Sequence, residues 1–239
     1  MVINEIFRSI DGEVNSFHQG RMTTFVRIQG CNLHEHPCNW CDTKHALEIG
    51  KIHDYKHNFY AGLYTVKSAL ETITRFCGDS RNVTITGGEP FMDTHRNEVC
   101  DLIIELAFHK FYVNVETNGK CNIPKSIVPY IYSNQVCVVS DFKMPSSGNY
   151  NPVDVYNFFD CNFVKFVICT MKDLEVALDK AKAVIDVNRY GYHRKPKIVF
   201  SPVILNNKPD ERILDSIITA MAHTDYILNV QIHKLIGLT

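Results

Sequence analysis

The most constraining feature of the sequence is the alternation of short β-rich runs with helical patterns along most of its 239 residues. The β-rich runs are apolar enough for strands that are buried on both faces, as in a parallel sheet. They lie at about residues 22–29, 82–86, 111–116, 136–140, 163–168, 197–201 and 226–232. This order predicts right-handed crossovers and an α/β fold whose parallel sheet is either open or curled into an incomplete barrel.

The intervening helical patterns each place apolar residues on one face. The first includes Val66, Ala69, Leu70, Ile73 and Phe76, with Thr65 as its N-cap. The second includes Val99, Leu102, Ile103 and Leu106, and the third includes Leu174, Leu178, Ala181 and Ile185. The chain length suits one domain over residues 1–239, with an irregular excursion at about residues 45–62. In such folds the chemistry gathers at the carboxyl ends of the strands.

Charge and composition exclude several classes of function. Twenty-five Lys and Arg residues against 26 Asp and Glu residues leave no global basic field for nucleic acid. The first dozen residues do not resemble a secretory signal, and no apolar run approaches the roughly 20 residues that span a membrane. We therefore expect a cytoplasmic protein with reduced thiols. Four cysteines in apolar runs are assigned to packing: Cys77, Cys100, Cys137 and Cys169.

A loop with three cysteines follows the first β-rich run. This cysteine loop, residues 30–44, contains Cys31, Cys38 and Cys41. Three thiolates can hold three irons of a cubane cluster and leave the fourth iron without a protein ligand. A structural zinc site is the alternative, because two of the cysteines have zinc-knuckle spacing and His34 or His36 could complete the set. The cysteines alone leave both interpretations open.

Polar motifs follow the later strands. They are TGGEP at 86–90, ETNG at 116–119, SDFKMPSSG at 140–148 and QIHK at 231–234. Paired glycines let a ligand approach backbone groups that side chains would otherwise shield. Polar groups at successive strand ends together predict a ring-shaped ligand site.

With these motifs the sequence resembles the radical S-adenosylmethionine enzymes and, within them, the 7-carboxy-7-deazaguanine synthase family. The resemblance spans nearly the whole chain. It rests on the order and spacing of EIFRSIDGE, GRMTTFVRIQGCN, CNWCDT, TGGEP, ETNG, SDFKMPSSG, KFVI and QIHKLIG. It implies a partial TIM-like βα barrel of the radical S-adenosylmethionine type, with a [4Fe-4S] cluster, S-adenosylmethionine and Mg²⁺ as cofactors.

The resemblance also implies roles for individual residues. The cluster ligands would be Cys31, Cys38 and Cys41, and Mg²⁺ would be bound by Thr43. S-adenosylmethionine would contact Trp40, Gly87, Gly88, Glu89, Glu116, Ser140 and Lys143. The substrate would contact Ile10, Asp11, Gly12, Glu13, Arg27, Thr86 and His233. Among these, the planar guanidinium of Arg27 suits a carboxylate.

The implied reaction begins when one electron enters the cluster and cleaves S-adenosylmethionine to methionine and a 5′-deoxyadenosyl radical. That radical would abstract hydrogen from C6 of 6-carboxy-5,6,7,8-tetrahydropterin. The pterin ring would then contract and lose ammonia to give 7-carboxy-7-deazaguanine, as in 7-deazapurine biosynthesis of the preQ0 and queuosine type. The resemblance further implies a homodimer and an electron donor such as flavodoxin.

Two features depart from the family pattern. Six residues separate Cys31 from Cys38, where the family usually has three, and Asp11 stands where many members have Gln. An activase that makes a glycyl radical on a partner enzyme is an alternative with the same type of cysteine loop. It is disfavoured because Arg27, SDFKMPSSG and QIHK suit a small anionic substrate. A non-catalytic zinc-binding module is the alternative from another class.

Overall fold

The strands and helices alternate along the chain in the computed structural model, which describes residues 1–50, 60–150, 158–187 and 195–238. The strands are β1 Val2–Ile10, β2 Met22–Ile28, β3 Gly62–Leu63, β4 Asn82–Gly87, β5 Tyr112–Thr117, β6 Val136–Phe142, β7 Phe163–Ile168, β8 Lys197–Pro202, β9 Ile204–Leu205, β10 Lys208–Pro209 and β11 Ile227–Leu228. The helices are α1 Val66–Cys77, α2 Arg96–Phe108, α3 Val128–Tyr132, α4 Met171–Val187, α5 Glu211–Met221 and α6 Ile232–Leu235. Short 3₁₀ turns span Lys44–Ala46 and Pro145–Ser147.

Nine strands form one sheet in the order β11-β8-β7-β6-β5-β4-β2-β1-β3. Neighbouring strands are parallel from β2 across to β11, as the alternation of strand and helix predicts. The main core unites buried residues of this sheet with those of α1 to α5, among them Ile73, Leu102, Ile131, Phe166 and Ile217. The fold is therefore a single-domain α/β fold of the partial TIM-barrel type.

The other face of the sheet carries a second, smaller core. It consists of Val14, Cys137, Val139, Phe163 and Val199. Because side chains alternate between the faces of a strand, Asp141 lies on the same face as Cys137 and Val139, nearer the carboxyl end of β6. We call this side the inner face. The apolar residues of the second core therefore lie on the same face of the sheet as Asp141.

Strand β1 is missing from the sequence-based prediction. It pairs antiparallel with β2, and β3 pairs antiparallel with β1, so the sheet is not parallel throughout. A β-bulge between Ile3 and Glu5 shifts the register, which lets Ile3 and Ile6 both enter the main core although they are three residues apart. That bulge breaks the period of two by which a strand is recognised in a sequence.

The prediction of a last strand at 226–232 is largely wrong. Only Ile227 and Leu228 pair with β8, and α6 begins at Ile232. Beyond Leu228, the Asn229 N–H donates to the Phe200 carbonyl at 2.9 Å, and Asn229 and Gln231 donate through their side chains to Glu13.

The three helical patterns are confirmed as α1, α2 and α4. Thr65 caps α1 by accepting a hydrogen bond from the Ser68 N–H at 3.1 Å. Part of the predicted excursion at 45–62, residues 51–59, lies outside the described residues. Of the cysteines assigned to packing, Cys77, Cys100 and Cys137 are buried, whereas Cys169 is only half-buried. None of the helices in the described ranges is long and apolar enough to cross a membrane.

Candidate functional site

The cysteine loop begins at the carboxyl end of β2, and its two ends are tied together. The Gly30 N–H donates to the Ala46 carbonyl at 2.8 Å, and the Cys31 N–H donates to the Leu47 carbonyl at 3.0 Å. Cys31 is buried, whereas Cys38 and Cys41 are half-buried and all three are free thiols. The three thiols therefore lie on a loop whose two ends are joined by hydrogen bonds.

The paired glycines of TGGEP pack directly against the start of this loop. The Gly88 N–H donates to the Ile28 carbonyl at 3.0 Å, and the Glu89 N–H donates to the Gly30 carbonyl at 2.8 Å. A Cβ on Gly88 would lie 1.9 Å from the Gly30 oxygen, so no larger residue fits. Gly87 has φ +125°, which also favours glycine. The motif thus holds two strand-end loops together, in addition to its predicted place beside S-adenosylmethionine.

Glu89 joins TGGEP to ETNG. Its Oε1 accepts hydrogen bonds from Thr117 Oγ1 at 2.7 Å and from the Phe91 N–H at 3.0 Å. Its Oε2 accepts from the Asn118 N–H at 2.7 Å. The side chain is completely buried, and burial raises the pKa of its carboxyl group against these hydrogen bonds. The carboxylate therefore braces the loops, and its predicted contact with the cofactor remains a prediction.

The SDFKMPSSG segment clamps the far side of the cysteine loop. Asn39 donates through Nδ2 to the Ser146 carbonyl at 2.8 Å, and its N–H donates to the Ser147 carbonyl at 3.0 Å. Asp173 in the first turn of α4 accepts from the Ser146 N–H at 3.0 Å and also from its hydroxyl group. The sequence-based prediction missed both Asn39 and Asp173, because nothing local distinguishes them from ordinary loop and cap residues.

The three thiols influence one another electrostatically. Burial, together with the charges of Glu89 and Cys38, raises the pKa of Cys31 to about 11, although the Leu33 N–H and Lys143 act against this rise. Burial also raises the pKa of Cys38, and Cys41 adds to this effect. Cationic iron would reverse this balance, since a metal ion deprotonates a coordinating thiol. Three free thiols on one loop, which iron would deprotonate on binding, fit a cluster with three cysteine ligands.

The histidines of the cysteine loop are arranged differently from zinc ligands. His34 Nδ1 lies 2.9 Å from the Cys31 carbonyl oxygen, and the His36 carbonyl accepts from Asn149 Nδ2 at 2.9 Å. Both imidazoles are exposed. Within residues 1–50, 60–150, 158–187 and 195–238, no group of three or more His, Cys, Asp or Glu side chains is placed to hold a single metal ion.

A row of alternating charges crosses the inner face. Lys165 Nζ lies 2.9 Å from Glu13 Oε2 and 3.2 Å from Asp141 Oδ1, and Lys143 Nζ lies 2.9 Å from Asp141 Oδ2. Burial opposes the charge on Lys165, but Asp141 and Glu13 outweigh it and hold the pKa of Lys165 well above its ordinary value. Burial likewise opposes ionisation of Glu13, yet Lys165 keeps the pKa of Glu13 low. All four groups are therefore charged and mutually compensated.

Glu116 stands above this row at the end of β5. Its Oε2 accepts from Thr86 Oγ1 at 2.9 Å, while Oε1 is buried and has no hydrogen-bond partner among the described residues. Burial and then the charge of Glu13 raise the pKa of Glu116 to about 8, although Lys165 lowers it. Glu116 thus brings a predominantly neutral carboxyl group, with one unused oxygen, to the point where the predicted cofactor and substrate residues meet.

We expect Glu116→Gln to change how stability depends on pH. The folded chain keeps the Glu116 proton up to about pH 8, whereas the unfolded chain loses it near 4.5, so the folded state binds more protons between these values. The contribution of this group to the free energy of unfolding therefore falls with rising pH, by at most about 1.4 kcal/mol per pH unit. Denaturant unfolding across this window should show the variant gaining stability relative to wild type as pH rises. Parallel pH profiles would contradict the assignment.

Asp11, which replaces the more usual Gln, is turned into the protein. It is completely buried, and its Oδ2 accepts from Thr84 Oγ1 at 2.8 Å and lies 3.0 Å from His18 Nδ1. Its Oδ1 accepts from the Glu13 N–H at 3.2 Å. The Asp11 carboxylate thus fastens the segment after β1 to β4, and its substrate contact remains a prediction.

The QIHK segment closes the site from the opposite edge of the sheet. Gln231 donates to Glu13 Oε1, and Lys234 Nζ lies 2.7 Å from Asp42 Oδ2, next to Cys41. His233 lies against Gly12, where a Cβ would come within 2.3 Å of the imidazole Nδ1. Burial lowers the pKa of His233. The N-terminal motif, the cysteine loop and the C-terminal motif therefore meet, as the ring-shaped site requires.

Arg27 occupies the inner face of β2. Its Nε donates to Glu5 Oε1 at 2.5 Å, and its guanidinium carbon lies 5.5 Å from the centre of the Phe7 ring. These contacts fix the plane of the guanidinium group. In the part of the chain that the structure describes, no acceptor is bonded to its terminal nitrogens, which suits a ligand carboxylate.

The remaining predicted residues lie in the cysteine loop or at the ends of strands. Thr43 Oγ1 is 3.7 Å from Cys41 Sγ, and Trp40 is half-buried in the cysteine loop. Ser140 is buried beside Gly119, and Ile10 ends β1 just before the Asp11 segment. The sequence-based prediction assigned no role to Lys165 or Asp141, although both stood in quoted motifs. A lysine inside an otherwise apolar strand was the available signal.

Comparisons with known proteins agree on one family, although no family model matches the chain. The chain is 32% identical over 236 residues to 7-carboxy-7-deazaguanine synthase of Clostridium acetobutylicum, covering 97% of this chain and 94% of that protein. It is 29% identical over 239 residues to the enzyme of that name from Methanospirillum hungatei, covering 100% of this chain and 86% of the relative. The crystal structure of QueE from Escherichia coli superposes with a TM-score of 0.71 at 25% identity, covering 96% of this chain and 93% of that one.

The sequence identity to the Clostridium acetobutylicum enzyme extends over nearly the full length of both proteins, and the superposition with the Escherichia coli structure covers nearly all of both chains. The three free thiols lie on the loop that the sequence predicts, whereas the charged inner face was not predicted. The chain therefore belongs to the 7-carboxy-7-deazaguanine synthase family.

Proposed function

We propose that this chain catalyses the radical ring contraction of 6-carboxy-5,6,7,8-tetrahydropterin to 7-carboxy-7-deazaguanine with loss of ammonia, in 7-deazapurine biosynthesis. Its membership of the family supports this reaction. The single structural observation that carries it is the meeting of a three-thiol loop with a charged inner face that the QIHK segment closes. A glycyl-radical activase has no comparable support from the comparisons.

Enzymes of this family use a [4Fe-4S] cluster, S-adenosylmethionine and Mg²⁺, which together supply the radical when bound. We propose that Cys31, Cys38 and Cys41 hold the cluster and that Thr43 contributes an oxygen to Mg²⁺. Three cysteine ligands leave one iron for S-adenosylmethionine. We propose that the glycines of TGGEP, the ETNG turn and Lys143 would contact S-adenosylmethionine when it is bound.

On the substrate side, we propose that Arg27 binds the pterin carboxylate through its terminal nitrogens, held in plane by Glu5 and Phe7. We propose that Glu116, which is expected beside S-adenosylmethionine, uses its unpartnered Oε1 for a hydrogen bond to a bound ligand. Gly12 and His233 pack against each other, and we propose that both contact the substrate. These residues fix the orientation of the substrate, which is the main contribution a protein makes to radical chemistry supplied by a cofactor.

Three further proposals rest on family membership. We propose that the chain acts in the cytoplasm as a homodimer, and that a flavodoxin-type protein supplies the electron. We also propose that residues 1–239 form one catalytic domain, with the cysteine loop at 30–44 as its cluster-binding element. Sedimentation of the purified protein would test the dimer.

The test of the function is an anaerobic assay. Reconstituted protein with dithionite, S-adenosylmethionine, Mg²⁺ and carboxytetrahydropterin should form carboxydeazaguanine and ammonia, and Cys38→Ala should form neither. Cleavage of S-adenosylmethionine without this product would exclude the synthase reaction and favour the activase. A colourless protein with stoichiometric zinc would favour the zinc-binding module instead.

Replacing Thr43 by Ala should weaken the response to magnesium. The hydroxyl group is the proposed Mg²⁺ ligand, and loss of a group that contacts or orients a metal typically costs about 10- to 100-fold in affinity or activity. The Mg²⁺ concentration that gives half-maximal rate should therefore rise. Thr74→Ala, on the exposed side of α1, is the matched control. An unchanged magnesium dependence in Thr43→Ala would remove this role.

A further inference from the structure

Each cysteine of the cysteine loop has a polar side chain beside its sulfur. Asn118 Nδ2 lies 3.7 Å from Cys31 Sγ, and Asn149 Nδ2 lies 3.8 Å from Cys38 Sγ. The Thr43 hydroxyl group lies beside Cys41 in the same way. Asn118 follows β5 and Asn149 follows β6, so two neighbouring strand ends each direct one amide toward the thiols.

The orientation of the Asn118 amide is determined by its other partners. Its Oδ1 accepts from the Lys120 N–H at 3.0 Å, and its Nδ2 donates to Asn32 Oδ1 at 2.7 Å. A flipped amide would set oxygen against oxygen and nitrogen against nitrogen. Nδ2 has a second hydrogen, which points toward Cys31. The side chain is only 8% exposed, so water does not replace this donor readily.

The orientation of the Asn149 amide is likewise determined by its other hydrogen-bond partners. Its Nδ2 donates to the His36 carbonyl at 2.9 Å, inside the enlarged part of the cysteine loop. Its backbone N–H donates to Ser147 Oγ at 3.1 Å, which anchors the residue to the 3₁₀ turn. The nitrogen, and not the oxygen, therefore faces Cys38. The six residues between Cys31 and Cys38 supply the carbonyl that holds this amide in place.

We propose that Asn118 and Asn149 are positioning residues that raise the reduction potential of the cluster by donating N–H groups to two of its cysteine sulfurs. Reduction adds one negative charge to the cluster and its sulfurs, and hydrogen bonds to the sulfurs stabilise that charge. The electron comes from an external low-potential donor. This inference rests on the proposed function, because it requires the cluster, but it concerns residues that have no assigned part in the reaction.

The test is a redox titration of the reconstituted protein, followed by the electron paramagnetic resonance signal of the reduced cluster. Asn118→Ala and Asn149→Ala remove the amide without adding charge. At the wild-type midpoint potential we expect the ratio of reduced to oxidised cluster to fall about three- to tenfold in each variant. A change of this size corresponds to the loss of one hydrogen bond. Asn118→Asp keeps the acceptor for the Lys120 N–H and should lower the ratio further.

Asn134→Ala, in the turn between α3 and β6 at the opposite end of the sheet, should leave the midpoint unchanged. Iron and sulfide per chain are measured in parallel, because a merely structural role would reduce cluster content without moving the potential. Unchanged midpoints in Asn118→Ala and Asn149→Ala would overturn the inference. If Asn118→Ala loses its iron, the inference is judged on Asn149→Ala and Asn118→Asp, and unchanged midpoint potentials in these two variants would overturn it. Wild-type protein without a cubane signal would instead overturn the proposed function.

Discussion

Lys165→Met should lower the free energy of unfolding by about 3–5 kcal/mol, the cost of leaving buried charge without its partner. Lys165 is 6% exposed and contacts both Glu13 and Asp141. Asp141 keeps Lys143, but Glu13 loses the cation that holds its pKa low. Methionine has a similar length and no charge, so the loss reports on electrostatics more than on packing. Chemical denaturation at neutral pH measures it.

A matched control is available on α4. Lys172 pairs with Glu175, but its side chain is 70% exposed, so Lys172→Met should change stability by less than about 0.5 kcal/mol. Adding Glu13→Gln to Lys165→Met should recover part of the loss, because the uncompensated carboxylate is then gone. If Lys165→Met were as stable as wild type, the row of charges would have no role in holding the inner face together.

Gly88→Ala should separate the cysteine loop from TGGEP. The new Cβ would lie 1.9 Å from the Gly30 oxygen and 2.8 Å from the Ala46 oxygen, and both are backbone atoms that cannot rotate away. Overpacking of this kind costs about 1–3 kcal/mol. Because displacement of a reacting group by about 1 Å can cost on the order of 100-fold in rate, turnover should fall by about that factor even in protein that remains folded.

Gly62→Ala in β3 is the control for this change. A Cβ there would meet only Tyr64 at 3.7 Å, an ordinary van der Waals distance, so stability and turnover should stay near the wild-type values. Iron content and rate are measured for both variants after identical reconstitution. Full turnover in Gly88→Ala would show that the cysteine loop tolerates displacement and that the contact with TGGEP is dispensable.

The enlarged cysteine loop shows how a departure from the family pattern is accommodated. Six residues separate Cys31 from Cys38, and this part is held at His36 by Asn149. Directly after Cys38, Asn39 is held by the Ser146 and Ser147 carbonyls. His34 bonds within the loop to the Cys31 carbonyl. The extra length is therefore docked onto the SDFKMPSSG side of the site, and both of its histidines are exposed.

Local pattern was sufficient to predict most of the architecture. The parallel strands from β2 to β8, the helices α1, α2 and α4 and the cap at Thr65 each follow from periodicity or from a single residue preference. The same holds for the thiols of Cys31, Cys38 and Cys41, because their spacing places them on one loop whatever the rest of the chain does. Strand β1 escaped prediction because its bulge interrupts the period that identifies a strand.

By itself, the sequence determined the α/β alternation, the cysteine loop and the polar motifs at the strand ends, because each of these depends on residues a few positions apart. Only the tertiary structure decided which groups pair across the inner face. Glu13 binds Lys165, 152 residues away, and Asn229, 216 residues away, while Asp11 turns inward to Thr84 and His18. Such partners become neighbours only when the sheet curls, so the charge state and orientation of the site are properties of packing, which no local pattern encodes.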